Sequence, residues 1–292
     1  MRRNLKRILF FSLVGLGFGA TARVRAQVAS RDQMDIRPLS ASATSVCQNA
    51  DVTAQVKEAL RLVCAQRGSD EALSSAQRLI VIGFLGGFAK RDTKHPEVWF
   101  GAYLREHYSS AIDVSVFSNH HWRKAMNDVL RLLDTDEDGK LTARERSQAK
   151  IIVYGHSWGA SEALAFAGRL ERLKIPVLLT VQIDIVPKPG QKPNLIPSNV
   201  EAAINFFQSE GPLHGRSEVV AEDPQRTEII GNFHMTYEGH RIDCGNYPWF
   251  ARTFNKPHDE IENDARVWNQ IALLIDSRLS SLRSATDQSA MQ

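Results

Sequence analysis

Lys150-Ile151-Ile152-Val153-Tyr154-Gly155-His156-Ser157-Trp158-Gly159-Ala160-Ser161 is the stretch on which the fold turns. Ile151 to Tyr154 is a short, unbroken apolar run, as a strand buried on both faces requires. A serine between two glycines follows at once, and Ala160 to Leu173 then repeats apolar residues at helical spacing. The local reading is strand, tight turn, helix. A turn this sharp brings together the residues two before and two after Ser157, and glycine at both places removes the side chains that would collide. The serine hydroxyl is left at the tip. The helix behind it aims N–H groups and its positive dipole end at the same point.

Outward from this unit the hydrophobic period keeps switching. Leu79 to Ile82 reads as a strand ending at Gly83, residues 96–108 as a helix, Ile112 to Phe117 as a strand and Trp122 to Leu133 as a helix. Beyond the central unit, Val177 to Ile185 reads as a strand, Val200 to Gln208 as a helix, Thr227 to Ile230 as a strand and Glu260 to Leu282 as the closing helix. Strands separated by helices predict an α/β fold, a mostly parallel sheet with helices on both faces. Chemistry in such sheets lies beyond the carboxyl ends of the strands.

In this setting Gly155-His156-Ser157-Trp158-Gly159 resembles the nucleophile elbow of the α/β-hydrolase superfamily, in particular its lipase, esterase and thioesterase branches, over roughly residues 78–283. The resemblance implies that Ser157 is a nucleophile and that the Trp158 N–H is one oxyanion donor. Ile82-Gly83-Phe84-Leu85-Gly86-Gly87 is similar to the superfamily's His-Gly-Phe segment, with Ile82 in place of the histidine. That implies the Phe84 N–H as the second donor, with Leu85 as the alternative.

A serine hydroxyl needs a general base, and the base an orienting carboxylate. The superfamily's chain order is Ser, then Asp or Glu, then His. Asp184 closes the apolar strand after the elbow and resembles a Leu-Asp-Pro type segment, although Ile185-Val186 separate it from Pro187; Asp243 and Asp223 are the alternatives. Of the late histidines, His258 in Lys256-Pro257-His258-Asp259-Glu260-Ile261 stands just before the last helix, where the superfamily carries its base; His240 is the runner-up, and His234 the third. His156 reads as a packing or wall residue. The His120-His121 pair reads as structural, with no suitably spaced metal partner.

Residues 134–145, Asp-Thr-Asp-Glu-Asp-Gly-Lys-Leu-Thr-Ala-Arg-Glu, fit the EF-hand loop pattern at every position. The resemblance implies a structural calcium site with Asp134, Asp136, Asp138, the Lys140 carbonyl, Thr142 and Glu145 as ligands and Gly139 at the sharp turn. A single such loop implies a clip, here just before the strand that carries Ser157.

The balance of 36 basic and 33 acidic residues gives a net charge of +3, which offers no reason to expect nucleic acid as a partner. Arg2, Arg3, Lys6 and Arg7 precede the apolar run Ile8 to Ala20, and Val24-Arg25-Ala26 offers a cleavage site. Residues 1–26 therefore read as a signal peptide, 27–45 as an exposed arm and 46–292 as one domain, with residues 50–65 helical. The mature chain is expected to be secreted or periplasmic, without a membrane span. Export permits disulfides. Cys47 and Cys64 are the favoured pair, a closure contributing about 3 kcal/mol in the chain-entropy model, with Cys244 open to other pairings. Residues 186–198 and 209–225 are long enough to form a lid, and Trp158, Trp249 and Phe250 suit an acyl pocket or the core equally. The expected activity is hydrolysis of a small-molecule or lipid carboxylic ester, with calcium and no organic cofactor. An exported peptidase or amidase and a calcium-dependent, non-catalytic binding protein are the rivals.

Overall fold

A computed structural model of the chain describes residues 78–87, 95–108, 111–191, 194–245 and 256–290. The expected leader 1–26, the arm 27–45, the helix 50–65, the Cys47–Cys64 pair, Trp249 and Phe250 lie outside the described residues. In chain order the elements are β1 (Leu79–Leu85), α1 (Pro96–His107), β2 (Ile112–Ser118), α2 (Trp122–Leu133), α3 (Ala143–Ser147), β3 (Ile151–His156) and α4 (Trp158–Arg172). They continue with β4 (Val177–Ile183), β5 (Leu195–Ile196), β6 (Val200–Phe207), β7 (Val220–Ala221), β8 (Glu228–His234), α5 (Lys256–Glu262) and α6 (Ala265–Ala290).

Six strands form one sheet in the order β2-β1-β3-β4-β6-β8, and every pairing is parallel. Alternation along the strands sends Ile80, Ile82 and Phe84 of β1 and Ile151 and Val153 of β3 to one face. There Met126 and Val129 of α2 and Ala163, Phe166 and Leu170 of α4 cover them. The opposite face carries Tyr154, whose ring lies 5.6 Å from Phe100 of α1 and 6.0 Å from Trp268 of α6. Helices therefore cover both faces, as the strand–helix alternation predicts. Phe100, Tyr154 and Trp268 are fully buried, and each such side chain stabilises the fold by about 2–3 kcal/mol. Gly83 makes room for this cluster: a Cβ there would sit 2.5 Å from the Tyr154 ring.

One element departs from its expected type. Val200 to Gln208 is strand β6 and not a helix. Glu201, Ala202 and Ala203 are helix formers by propensity, but the segment lies between β4 and β8, where Ala202 to Phe206 are all buried. The connection from β4 to β6 contains no helix among the described residues. At the closing end, α5 and α6 are separate helices, broken at Asn263-Asp264. No helix among the described residues is long and apolar enough to cross a membrane.

Candidate active site

β3 ends at His156, and Ser157 occupies the N-cap of α4 with φ 56° and ψ −122°. For a residue with a Cβ this backbone costs about 1–3 kcal/mol and persists only where its surroundings enforce it. The surroundings here are hydrogen bonds from Ser157 N to Ile183 O (2.9 Å) and from Ser161 N to Ser157 O (3.2 Å). The glycines are required sterically. A Cβ on Gly155 would lie 2.4 Å from the Gly159 carbonyl carbon, and one on Gly159 would lie 2.0 Å from Phe84 O. The second glycine thus clears the β1 backbone as well as the turn.

Asp184 follows β4, the neighbour of β3, so the acid and the serine leave adjacent strands at the same edge. It is fully buried. Its Oδ2 lies 2.6 Å from His258 Nδ1 and accepts from Gln208 Nε2 at 2.7 Å; its Oδ1 accepts from Gly215 N at 2.7 Å. Burial alone would raise its carboxyl pKa, but the His258 contact, followed by Gln208 and Gly215, overcomes this and holds it below its ordinary value. His258 is on the first turn of α5, 4% exposed. Ser157, Asp184 and His258 are gathered at the carboxyl edge of the sheet. The described residues contain no hydrogen bond from the Ser157 hydroxyl to His258; such contacts often tighten only when substrate binds.

Several supporting residues carry no sequence motif. Gln208 and Gly215 orient the acid, and a Cβ on Gly215 would lie 2.3 Å from the Asp184 carbonyl carbon. This ties the 209–225 connection to the acid loop, with Arg216 N donating to Ile185 O at 3.0 Å. Asn119 Nδ2, just past β2, donates to Leu85 O and Gly87 O and clamps the turn after β1. Lys188 Nζ joins Asn119 O (3.0 Å) to Glu162 of α4 (2.7 Å). His156 is 3% exposed, and its ring lies 4.4 Å from that of His258. Its Nε2 donates to His258 O (3.1 Å), and its Nδ1 lies 3.2 Å from Glu262 Oε2. It is more than a wall residue, because it fixes the backbone that carries His258.

The expected oxyanion donors fall differently. Trp158 begins α4 directly behind Ser157. Phe84 lies inside β1, paired with Gly155. Since Ile80 N donates to Lys150 O of the β3 side, alternation aims the Phe84 N–H into the β1–β3 ladder. Its ring is core, 5.4 Å from Phe166. Two residues further on the chain passes close to the serine: a Cβ on Gly86 would sit 3.2 Å from Ser157 Cβ.

In the 134–145 loop the carboxylates of Asp134, Asp136 and Asp138 converge, while Gly139 takes φ 78°. Gly139 N donates to Asp134 Oδ2 at 2.9 Å, and Lys140 N to Asp138 Oδ1 at 2.7 Å. Glu145 does not join them. Its Oε1 accepts from Thr135 N and Oγ1, and its Oε2 from Thr142 N and Oγ1, all at 2.8–2.9 Å. It forms a capping box with Thr142 at the start of α3, and those backbone N–H groups lower its carboxyl to about 2. The hard-oxygen trio suits calcium; Glu145 as placed is occupied elsewhere.

The alternative acids and bases lie apart from this pairing. Asp243 Oδ1 accepts from Gly245 N, Asp223 Oδ1 from Gln225 N, and His234 Nε2 meets Ser209 Oγ at 2.8 Å. His240 is exposed, and His121 caps α2. Cys244 is buried, which pushes its thiol up to about 12, with Asp259 and Glu260 adding to the shift.

No family model matches the chain, and no curated protein matches it. Among solved structures, it is similar to one described as RedJ with a PEG molecule bound in the active site, at 12% identity, 66% of this chain, 94% of the other and a TM-score of 0.32.

Proposed function

We propose that the chain is an exported serine hydrolase that cleaves carboxylic esters, of small molecules or lipids, through an acyl-enzyme. The observation that carries this reading is the buried Asp184–His258 pair, 2.6 Å apart, beside a serine held at φ 56° on a strand–helix turn. With Nδ1 facing Asp184, His258 takes the Ser157 proton on Nε2 as the hydroxyl attacks the carbonyl carbon. Asp184 holds the tautomer and stabilises the imidazolium. His258 then protonates the leaving alcohol, and water releases the acyl group by the same route. The Trp158 N–H and the Gly86 backbone, in the turn that Asn119 clamps, hold the oxyanion, each donor contributing about 2.7–4 kcal/mol.

Asp134, Asp136 and Asp138 with the Lys140 carbonyl would hold calcium and so fasten the α2–β3 connection; the Thr142 hydroxyl is engaged with Glu145. Since Glu145 contributes its oxygens to a capping box, the site is a weak one.

A fluorophosphonate probe tests the reading. The expected result is one adduct, on Ser157, together with turnover of p-nitrophenyl esters. An unlabelled Ser157 in folded protein refutes the proposal. Faster cleavage of peptide anilides than of esters would replace the esterase reading with the peptidase one.

A further inference from the structure

Next to His156 lies a second, largely buried cluster. His95 is the N-cap of α1, Glu97 stands in its first turn, and Glu262 ends α5 one turn after His258. One ligand atom from each of the three lies within 4.8 Å of the others. His95 Nδ1 is 3.2 Å from Glu262 Oε1. Glu97 is fully buried, and among the described residues neither of its carboxylate oxygens has a hydrogen-bond partner. An unsatisfied carboxylate at that depth is costly, since even a neutral group left so costs about 1–3 kcal/mol and a charged one more.

We propose that His95, Glu97 and Glu262 form a binding site for a divalent transition-metal cation of the zinc class. Two features support it. An imidazole with two carboxylates is a donor set that zinc accepts. Tetrahedral neighbours bound at about 2.0 Å stand about 3.3 Å apart, and the His95–Glu262 separation of 3.2 Å matches that edge.

The remaining Glu262 oxygen faces His156 Nδ1 at 3.2 Å, and His156 Nε2 reaches His258 O. A ligating carboxylate with its own hydrogen-bond partner is the usual outer shell of such sites. The metal would thereby fix α5, and with it the backbone of His258, without touching substrate.

The test uses the full chain carrying Asp136→Asn, so that the 134–138 loop contributes no metal. Chelator-stripped protein is titrated with zinc chloride by calorimetry, and retained zinc is counted by mass spectrometry. One zinc per chain is expected, with affinity reduced at least about tenfold by Glu97→Gln and separately by His95→Ala, and unchanged by Ser157→Ala. Glu97→Gln preserves shape, and His95 lies at a helix cap, so two independent variants report even if one misfolds. X-ray absorption is expected to show a nitrogen and oxygen shell without sulfur, which separates this site from Cys244. No zinc uptake, a sulfur-containing shell, or uptake unchanged by both variants overturns the proposal. Because the readout is bound metal, its failure leaves the serine hydrolase reading untouched, and the reverse also holds.

Discussion

Asp184 and the aspartates at 134–138 place the same group in opposite conditions. Asp184 is fully buried, and the groups that satisfy it come from Gln208 after β6, Gly215 and His258 on α5, all distant in sequence. Asp134, Asp136 and Asp138 are satisfied by backbone N–H groups within five residues, and Asp136 and Asp138 are exposed. Asp138 N–H pulls the Asp136 carboxyl down, but desolvation and the charges of Asp138 and Glu145 leave it raised. Asp184 is lowered in spite of burial. Tertiary convergence makes an anion stable in one place; in the other, local sequence gathers anions that still repel one another. The first arrangement suits charge stabilisation during a reaction, the second the capture of a cation.

The sharpest break of this comparison is at the reacting group. Ser157→Ala is expected to abolish ester turnover and fluorophosphonate labelling. Asp184→Asn is expected to lower kcat by about 10⁴-fold while the protein stays folded, because the wrong His258 tautomer is then favoured. A variant within tenfold of wild type would show that Asp184 is a structural carboxylate. Next in size is the elbow's packing. Gly159→Ala drives a Cβ to 2.0 Å from Phe84 O, a backbone atom fixed in the ladder. A loss of about 3 kcal/mol or more is expected by denaturant titration, against a gain of about 0.5–1 kcal/mol for Gly168→Ala in the interior of α4, whose Cβ would meet only Pro197 Cγ at 3.7 Å.

The same contrast governs what could be read before folding. The strand–turn–helix at 150–161 was legible because it is complete within a short window, as was the convergence of Asp134, Asp136 and Asp138, whereas Glu145, expected with them, stands apart. Asp184 and His258 were legible only through the expected chain order. Gln208, Gly215, Asn119 and Glu97 were not legible, because each acts on a residue more than twenty positions away. The Phe84 assignment failed geometrically: β1 runs through Leu85, so the residue expected on the loop is in the ladder. Val200 to Gln208 misled for the opposite reason. Its local propensity was helical, and its place between two strands overrode it. Asn119 does have a faint signal, a short polar residue directly after a buried strand.

A smaller effect separates the two carboxylate types by pH. The folded pKa of Asp184 lies below the ordinary 3.8. Its contribution to stability is therefore complete above about pH 4 and is lost as pH falls through the lower folded value. Wild type should lose Tm faster than Asp184→Asn on acidification below that point, so that the two curves converge. Parallel curves would mean that the Asp184 carboxylate adds nothing to the stability of the fold.

The smallest expected effect tests which oxygens of the 134–145 loop serve the cation. Millimolar calcium against chelator should raise Tm by about 2–4 °C, the shift for calcium roughly fourfold above its Kd in a domain of this size. Asp136→Asn should abolish that shift. Glu145→Gln should preserve it, since glutamine keeps the capping-box geometry with Thr142 and Glu145 stands outside the aspartate cluster. If Glu145→Gln erases the calcium response as completely as Asp136→Asn, then Glu145 leaves Thr135 and Thr142 when the ion binds. The loop would then be a switch between a capped α3 and a closed cation site, and its link to β3 would be conformational as well as mechanical.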